Sequence, residues 1–266
     1  MDIQPFITRV SIDWDVVPSG DYTHGIPALH FDRPIEFTTP VTLFVGENGS
    51  GKSTLLESMA VAFGLNAEGG SQGYRFTTYD SHDSLHEAVH LTRSIRRPKT
   101  SYFLRAESFY NVASAAESYR DDGRSLTPKE IYYARYGGKS LHEQSHGESF
   151  LALVQNTFTD NGFYLLDEPE AVLSPMRQLT LLYELHLLAH HGAQFIIATH
   201  SPILLGMPGA RILSFDDGHI HEVTYEETEH YQVMEMFINR RQQILEQLLS
   251  CLNQAAASPL EKATGI

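Results

Sequence analysis

A chain of 266 residues, 42% of them apolar, is long enough to bury a sizeable core as one large domain or two small ones. Its formal charge of −14 excludes a protein that coats nucleic acid through general basicity, and its single cysteine, Cys251, excludes an internal disulfide framework. No apolar run approaches the roughly 18–20 residues of a membrane helix, and the opening MDIQPFITRV lacks the regions of a signal peptide, so a cytoplasmic protein with no direct membrane insertion is expected.

Residues 1 to about 45 read as strands, some of them antiparallel, leading into PVTLFV. Val41 to Val45 is a short apolar, β-branched run, followed by GENGSGKST and then by helical apolar spacing at Leu55, Leu56, Met59 and Phe63. Strand, glycine-rich loop and helix stand in the order a phosphate-binding loop needs. In the pattern Gly46-x4-Gly51-Lys52-Ser53, backbone N–H groups from Gly46 through Thr54, including those of Asn48, Gly49 and Ser50, are placed to wrap phosphates. Lys52 reaches the outer phosphates and the Ser53 hydroxyl reaches Mg²⁺.

From about 65 to 145 the apolar periodicity weakens. Arg93, Arg96, Arg97 and Lys99 form the densest basic cluster and read as a solvated loop around Pro98. LHEQSHGESF, Leu141 to Phe150, is a polar turn entering an apolar segment. Its Ser145 reads first as a plain helix N-cap, with the alternative that a helix start there holds an anion at Ser145 and Gly147. The fourteen histidines are scattered and lack supporting Cys or carboxylate ligands at metal-site spacing, so no histidine metal centre is expected.

GFYLLDEPEAVLS is a second strand, Phe163 to Leu166, ending in Asp167 and Glu168 where open α/β sheets bind ligands. Asp167 is expected to hold Mg²⁺, directly or through water, and Glu168 to act as general base on the attacking water. Leucines along Pro175 to His191 predict the helical crossover that two parallel strands require. Gln194 to Ala198 is the third strand, and it delivers His200 to the same sheet edge, where it could bond a terminal phosphate or water. RILSFDDGHIHEV predicts a hairpin turning at Asp217-Gly218, and the tail from Thr228 reads as one or two amphipathic helices packed on the body or on a dimer mate.

These motifs, in this order and spacing, resemble the ATP-binding cassette (ABC) ATPases: the P-loop, a signature-like SHGES at Ser145 to Ser149, the acidic strand end Asp167-Glu168, a D-loop-like EAVLS at Glu170 to Ser174, and the switch histidine His200. LRAESFYN, SHGES and TEHYQVMEMFIN look, more narrowly, like the small bacterial ATPases related to the heads of chromosome-maintenance and double-strand-break repair proteins. The resemblance implies an α/β P-loop NTPase fold with a mostly parallel core sheet, an antiparallel β subdomain and a helical lobe. It implies one domain over 1–266: 1–64 and 160–225 as nucleotide-binding core with the β subdomain, 65–159 as the helical lobe with the signature helix, and 226–266 as C-terminal helices.

The resemblance further implies ATP and Mg²⁺ as cofactors and a head-to-tail homodimer, in which Ser145 and Gly147 face the γ-phosphate held by the other subunit's P-loop. Lys52, Glu168 and His200 are then the catalytic residues, and Ser53 and Asp167 the metal ligands. The pattern departs in two places. His146 and Glu148 replace a glycine and a glutamine of the usual signature, and Glu107 stands where a glutamine usually approaches Mg²⁺, with Gln72 a poorer alternative. Tyr22 could stack on adenine or be an ordinary surface tyrosine. The expected function is an ATP-hydrolysing conformational switch acting on nucleic acid or a protein partner. The alternatives are the energy-coupling subunit of a membrane transporter and an ATP-sensing module with little turnover.

Overall fold

The computed structural model describes residues 4–71, 84–109, 133–134, 136–139 and 143–257. Contacts divide the chain into two units, Met1–Thr224 and Tyr225–Ile266.

The first unit is built on two sheets. Among the described residues the larger has seven strands in the order β10-β9-β3-β8-β7-β6-β4, and the smaller three in the order β2-β1-β5. The larger comprises β3 (Val41–Val45), β4 (Gly70–Ser71), β6 (Thr100–Arg105), β7 (Gly162–Asp167), β8 (Gln194–Ala198), β9 (Arg211–Ser214) and β10 (His221–Val223). The smaller comprises β1 (Ile7–Ile12), β2 (Ile35–Glu36) and β5 (Val89–Arg93), paired antiparallel. In the larger sheet β9, β3, β8, β7 and β6 run parallel, and β10 and β4 close its two sides antiparallel. A mostly parallel sheet thus stands beside an antiparallel subdomain, the α/β arrangement expected from the sequence.

β3, β7 and β8 are buried at every position, which is why each reads as an unbroken apolar run rather than an alternating one. Helix α1 (Lys52–Phe63) lies against both sheets, touching β5 of one and β7 and β8 of the other. Its Leu55, Leu56, Met59 and Phe63 share one core with Ile7, Val10, Phe163, Leu165 and Ile196. Each such side chain, fully buried, contributes about 1.5–3 kcal/mol. The helix stops at Gly64, whose φ of 102° lets its N–H reach the carbonyls of Ala60 and Val61.

Gln194 fastens the two sheets. Its amide accepts the Ile7 N–H at 2.9 Å and donates to the Ile7 carbonyl at 2.8 Å, so β8 of one sheet grips β1 of the other. The short helix α2 (Leu85–Ala88) leads into β5. Helix α3 (His146–Thr157) follows the signature-like turn, and α4 (Pro175–His191) is the β7-to-β8 crossover. Pro175 at its first turn and Gly192 just beyond its end bound α4 as the sequence predicts. Its buried stripe is Leu181, Leu185 and Ala189. A one-turn helix, α5 (Pro202–Leu205), is capped by the Ser201 hydroxyl.

Three expectations change. The span 65–159 is not a helical lobe throughout, because β5 and β6 lie inside it and complete the two sheets. The basic cluster is only in part a solvated loop: residues 94–99 have no helix or strand and Arg97 and Lys99 are exposed, but Arg93 belongs to a strand and Arg96 is half-buried. Arg93 ends β5, sits over the Phe63 ring at 4.7 Å and donates to the Phe63 carbonyl, while Arg96 lies 4.1 Å over Phe6 and donates to the carbonyls of Gln4 and Gly192. Their charges serve packing and backbone bonding. The β9–β10 hairpin is as expected, but its turn is a wider loop containing the 3-10 turn Asp216–Gly218, with Asp217 at φ 58°.

The second unit is helix α6 (Glu229–Ala257), broken by a non-helical Arg240, which matches the expectation of one or two helices. Val233, Met236, Phe237, Leu248 and Leu249 are exposed on it. Gln72, Tyr110, Asn111, Leu141 and His142 lie outside the described residues.

Candidate nucleotide site

β3, β8 and β7 are adjacent and parallel, so the segments leaving their C-terminal ends converge. These segments are the P-loop, the His200 turn and the Asp167-Glu168 turn. One sheet edge thus collects every catalytic and metal-binding residue that the sequence suggests in the core.

The P-loop is shaped by two glycines. Gly51, with φ 103°, is the N-cap of α1, and a Cβ there would stand 2.7 Å from Ile26 Cγ2. Gly46, with φ 146°, would place a Cβ 2.9 Å from Asp216 Oδ1. That Asp216 carboxylate accepts the Glu47 N–H at 2.8 Å and the Ser214 hydroxyl at 3.0 Å, tying the loop to the end of β9. No side chain caps α1. Its first N–H groups have no intrahelical partner and point, with the positive end of the helix dipole, toward the loop's concavity.

Lys52 is buried, and its ammonium donates to the carbonyls of Gly46 and Glu47 at 2.7 Å each and to Ser50 Oγ at 3.4 Å. Burial lowers its pKa, with the carboxylates of Glu168, Asp216 and Asp167 opposing that fall. Asn48 and Gly49 are exposed at the loop tip, and Thr54 lies one residue beyond Ser53 in the first turn of α1.

Ser53 donates from Oγ to Asp167 Oδ1 at 2.8 Å. Asp167 Oδ2 faces Arg105 Nε at 3.2 Å, and Arg105 also donates to Glu57 Oε2 at 2.6 Å. Arg105 and Asp167 are register partners at the ends of β6 and β7, so strand pairing itself sets this ion pair. Burial raises the Asp167 pKa while Arg105 and Ser53 pull it down. A cavity of about 350 Å³ opens beside them, lined by Ser53, Arg105, Glu107, Asp167 and Glu168. Glu107, the departure from the usual glutamine, therefore borders the same space as the Ser53–Asp167 pair.

Glu168 has φ 46° and ψ 50°, a left-handed conformation that costs a non-glycine residue roughly 1–2 kcal/mol. Its N–H donates to the Ala198 carbonyl at 2.9 Å, and its carboxylate lies 3.6 Å from His200 Nε2. A glycine would relieve the strain, so the retained carboxylate points to a use for it. Glu170 accepts the His200 N–H at 2.5 Å, and burial pushes its carboxyl up.

At the signature-like turn, Ser145 caps α3 in a reciprocal box: its Oγ accepts the Glu148 N–H at 3.3 Å and its N–H donates to Glu148 Oε2 at 3.0 Å. Arg177 of α4 forks across the box, donating to Ser145 Oγ at 3.1 Å and to Glu148 Oε1 at 2.9 Å. Bonds from Ser145 and the Arg177 cation hold the Glu148 carboxyl below its ordinary pKa. A Cβ at Gly147 would lie 2.7 Å from the Val172 carbonyl and 2.9 Å from Arg177 Nη1. The glycine is what lets α3 meet the D-loop-like segment, and Glu148 is explained by cap and ion pair together.

Tyr22, in the 3-10 turn Tyr22–Gly25, is 63% exposed, and the next 3-10 turn, Pro27–Leu29, packs its Leu29 against Gly51. Sequence reasoning missed Arg105, Asp216 and Arg177, and it quoted Glu170 in the D-loop-like segment without giving it a role. Only Arg105 left a local signal, a cation closing the apolar run YFLR just ahead of Glu107.

Residues 27–141 match the AAA domain family model. No curated protein matches the sequence. Among solved structures, the SMC head domain from Thermotoga maritima is 17% identical, with 82% of this chain and 98% of that chain covered and a TM-score of 0.42. An ATP-binding cassette of an ABC transporter in its ADP conformation is 17% identical, with 87% and 98% covered and a TM-score of 0.48. A metal-chelate type ABC transporter in an inward-facing conformation is 15% identical, with 76% and 79% covered and a TM-score of 0.45. Among the described residues no helix is long and apolar enough to cross a membrane.

The site fits a hard divalent cation of the magnesium kind. Ser53 and Asp167 offer adjacent oxygens, and no group of three or more His, Cys, Asp or Glu side chains forms a metal cage among the described residues. Magnesium in nucleotide sites takes one or two protein oxygens and completes its shell with phosphates and water.

Proposed function

We propose that this chain is a cytoplasmic ATPase that binds ATP with Mg²⁺ in its P-loop, closes head-to-tail on a second copy around two nucleotides, and opens after hydrolysis. The observation that carries the reading is the Ser53–Asp167 hydrogen bond, with Lys52 following β3 and Glu168 following β7, the two parallel strands that flank β8. The N–H groups from Gly46 to Thr54 bind the phosphate oxygens, and Lys52 offsets the charge that builds on the transferred group. Ser53 and Asp167 would hold the magnesium, which supplies charge neutralisation across the phosphates, with Glu107 bordering the same cavity. Glu168 orients the attacking water and accepts its proton, and His200 senses the terminal phosphate.

Ser145 and Gly147 complete the second copy's site in this reading, with Arg177 offsetting the Glu148 charge that a glutamine would not carry. The switch acts on a macromolecule, nucleic acid or protein. Arg93 and Arg96 bond backbone carbonyls, while Arg97 and Lys99 stand exposed beside them as cations that a nucleic-acid path could use. Phosphate release from ATP and Mg²⁺ tests the reading: Lys52→Ala should abolish it, and unchanged release would remove the P-loop assignment. DNA-stimulated turnover measured at two salt concentrations then separates a specific partner from simple phosphate attraction.

A further inference from the structure

Glu170 enters no step of hydrolysis as set out above, yet it is aimed at the residue that senses the phosphate. Its Oε1 accepts the backbone N–H of His200 at 2.5 Å, and the Thr199 side chain bonds the same carboxylate. Its other oxygen, Oε2, is buried with no hydrogen-bond partner among the described residues. A buried oxygen left unsatisfied is costly, and a chain keeps one where the acceptor it accompanies is needed.

The bond closes a small lattice between two strand ends. Thr199 N–H donates to the Phe44 carbonyl at 3.1 Å, and Ser201 N–H donates to Thr199 Oγ1 at 3.1 Å, so the turn after β8 is held to β3 and to itself. Glu168 N–H donates to the Ala198 carbonyl at 2.9 Å. Each of these fixes the backbone before or after His200, but the His200 N–H itself is held by Glu170. The imidazole follows that backbone, and its Nε2 lies 3.6 Å from Glu168 Oε1.

We infer that Glu170 is a positioning residue for His200: by holding the His200 N–H, its carboxylate sets the imidazole beside Glu168 and the terminal phosphate. It touches no reacting atom and acts through His200. The inference rests on the ATPase reading for its catalytic consequence and on the geometry alone for its structural one, so the experiment has two arms.

In the first arm, steady-state phosphate release is measured on the full chain for Glu170→Ala, Glu170→Gln, His200→Ala and the double Ala variant. Glu170→Ala should lower kcat by about 10–100-fold, the scale of a catalytic group misplaced by an ångström, with ATP binding within about threefold of the wild type. Glu170→Gln, which keeps an acceptor oxygen, should recover most of that loss. In the His200→Ala background Glu170→Ala should cost less than about threefold, since residues acting as a unit are not additive. Equal losses in both backgrounds, or loss of ATP binding in step with kcat, would overturn the inference.

In the second arm, amide exchange at His200 is read without nucleotide. Glu170→Ala should speed it at least about tenfold and Glu170→Gln far less. Unchanged exchange in Glu170→Ala overturns the inference whether or not the protein turns over ATP. Failure of the ATPase reading shows separately, as absent wild-type turnover that Lys52→Ala does not alter.

Discussion

Ser53 and Asp167 lie 114 residues apart in sequence and 2.8 Å apart in space, hydroxyl to carboxylate, at the C-terminal edge of the parallel strands of one sheet. Each comes from a different motif, and their meeting turns two local patterns into one site. Asp167→Asn keeps an acceptor for Ser53 and leaves Arg105 paired with Glu57, so the chain should still fold, less stably for the lost ion pair, while Mg²⁺-dependent turnover falls at least about a hundredfold with the charge that would face the cation. Phosphate release titrated against Mg²⁺ checks this, and a variant with wild-type Mg²⁺ response would show that Asp167 does not face the metal.

Arg105 joins Asp167 at 3.2 Å and Glu57 at 2.6 Å with about a quarter of its side chain exposed. Replacing it by Met leaves a buried carboxylate uncompensated. Breaking a fully buried pair costs about 3–5 kcal/mol; partial exposure brings the expectation here nearer 2–3 kcal/mol. Urea unfolding of Arg105→Met against wild type measures it, and a difference below about 0.5 kcal/mol would mean that solvent already screens the pair.

Asp21 supplies a pH signature. Burial opposes its charge, but bonds from the Ser84 hydroxyl and N–H and from the Thr23 N–H and hydroxyl outweigh that, and the carboxyl is held far below the ordinary range. A depressed acid stabilises the fold fully above its unfolded pKa of about 3.9, and the contribution fades as pH falls toward the folded value. Asp21→Asn should therefore be less stable than wild type at pH 7, with the gap steady down to about pH 5 and narrowing below pH 4. Thermal unfolding across that range would contradict the assignment if the gap widened in acid.

The signature-like turn makes a prediction about assembly. Ser145→Arg puts a bulky cation into the cap that Arg177 already occupies at 3.1 Å from Oγ. ATP binding by the single chain should be unchanged while ATP-dependent association and turnover fall at least about tenfold. Equilibrium nucleotide binding and light scattering on the same samples separate the two, and full turnover in the variant would dissociate this turn from the second nucleotide site.

Much of this site is legible in the sequence because its strands are buried on both faces. Val41–Val45, Gly162–Asp167 and Gln194–Ala198 carry unbroken apolar runs that end in functional residues, and the helix Pro175–His191 has proline and glycine at its bounds. β5 and β6 were hidden because they are short and flank a basic, proline-containing turn: VHLTR alternates apolar and polar residues over only five positions, and TSYFLR shows no clean period. Their pairing partners, β1 and β7, decide their structure from a distance. Asp216 was invisible for the same reason, and Glu170, visible in the D-loop-like EAVLS, carried no local sign of its bond to His200. Asp216 bonds a residue 169 positions away, and no local pattern in SFDDG marks that role.

The central claim, ATP-driven pairing of two copies that hydrolysis undoes, is tested most directly by Glu168→Gln. The substitution keeps the size of a side chain held in a left-handed turn at φ 46° but removes its capacity to take a proton. Size-exclusion chromatography with light scattering, under saturating ATP and Mg²⁺, should show this variant as a stable dimer retaining two ATP, while Lys52→Ala stays monomeric. A monomeric Glu168→Gln with ATP bound would contradict the account.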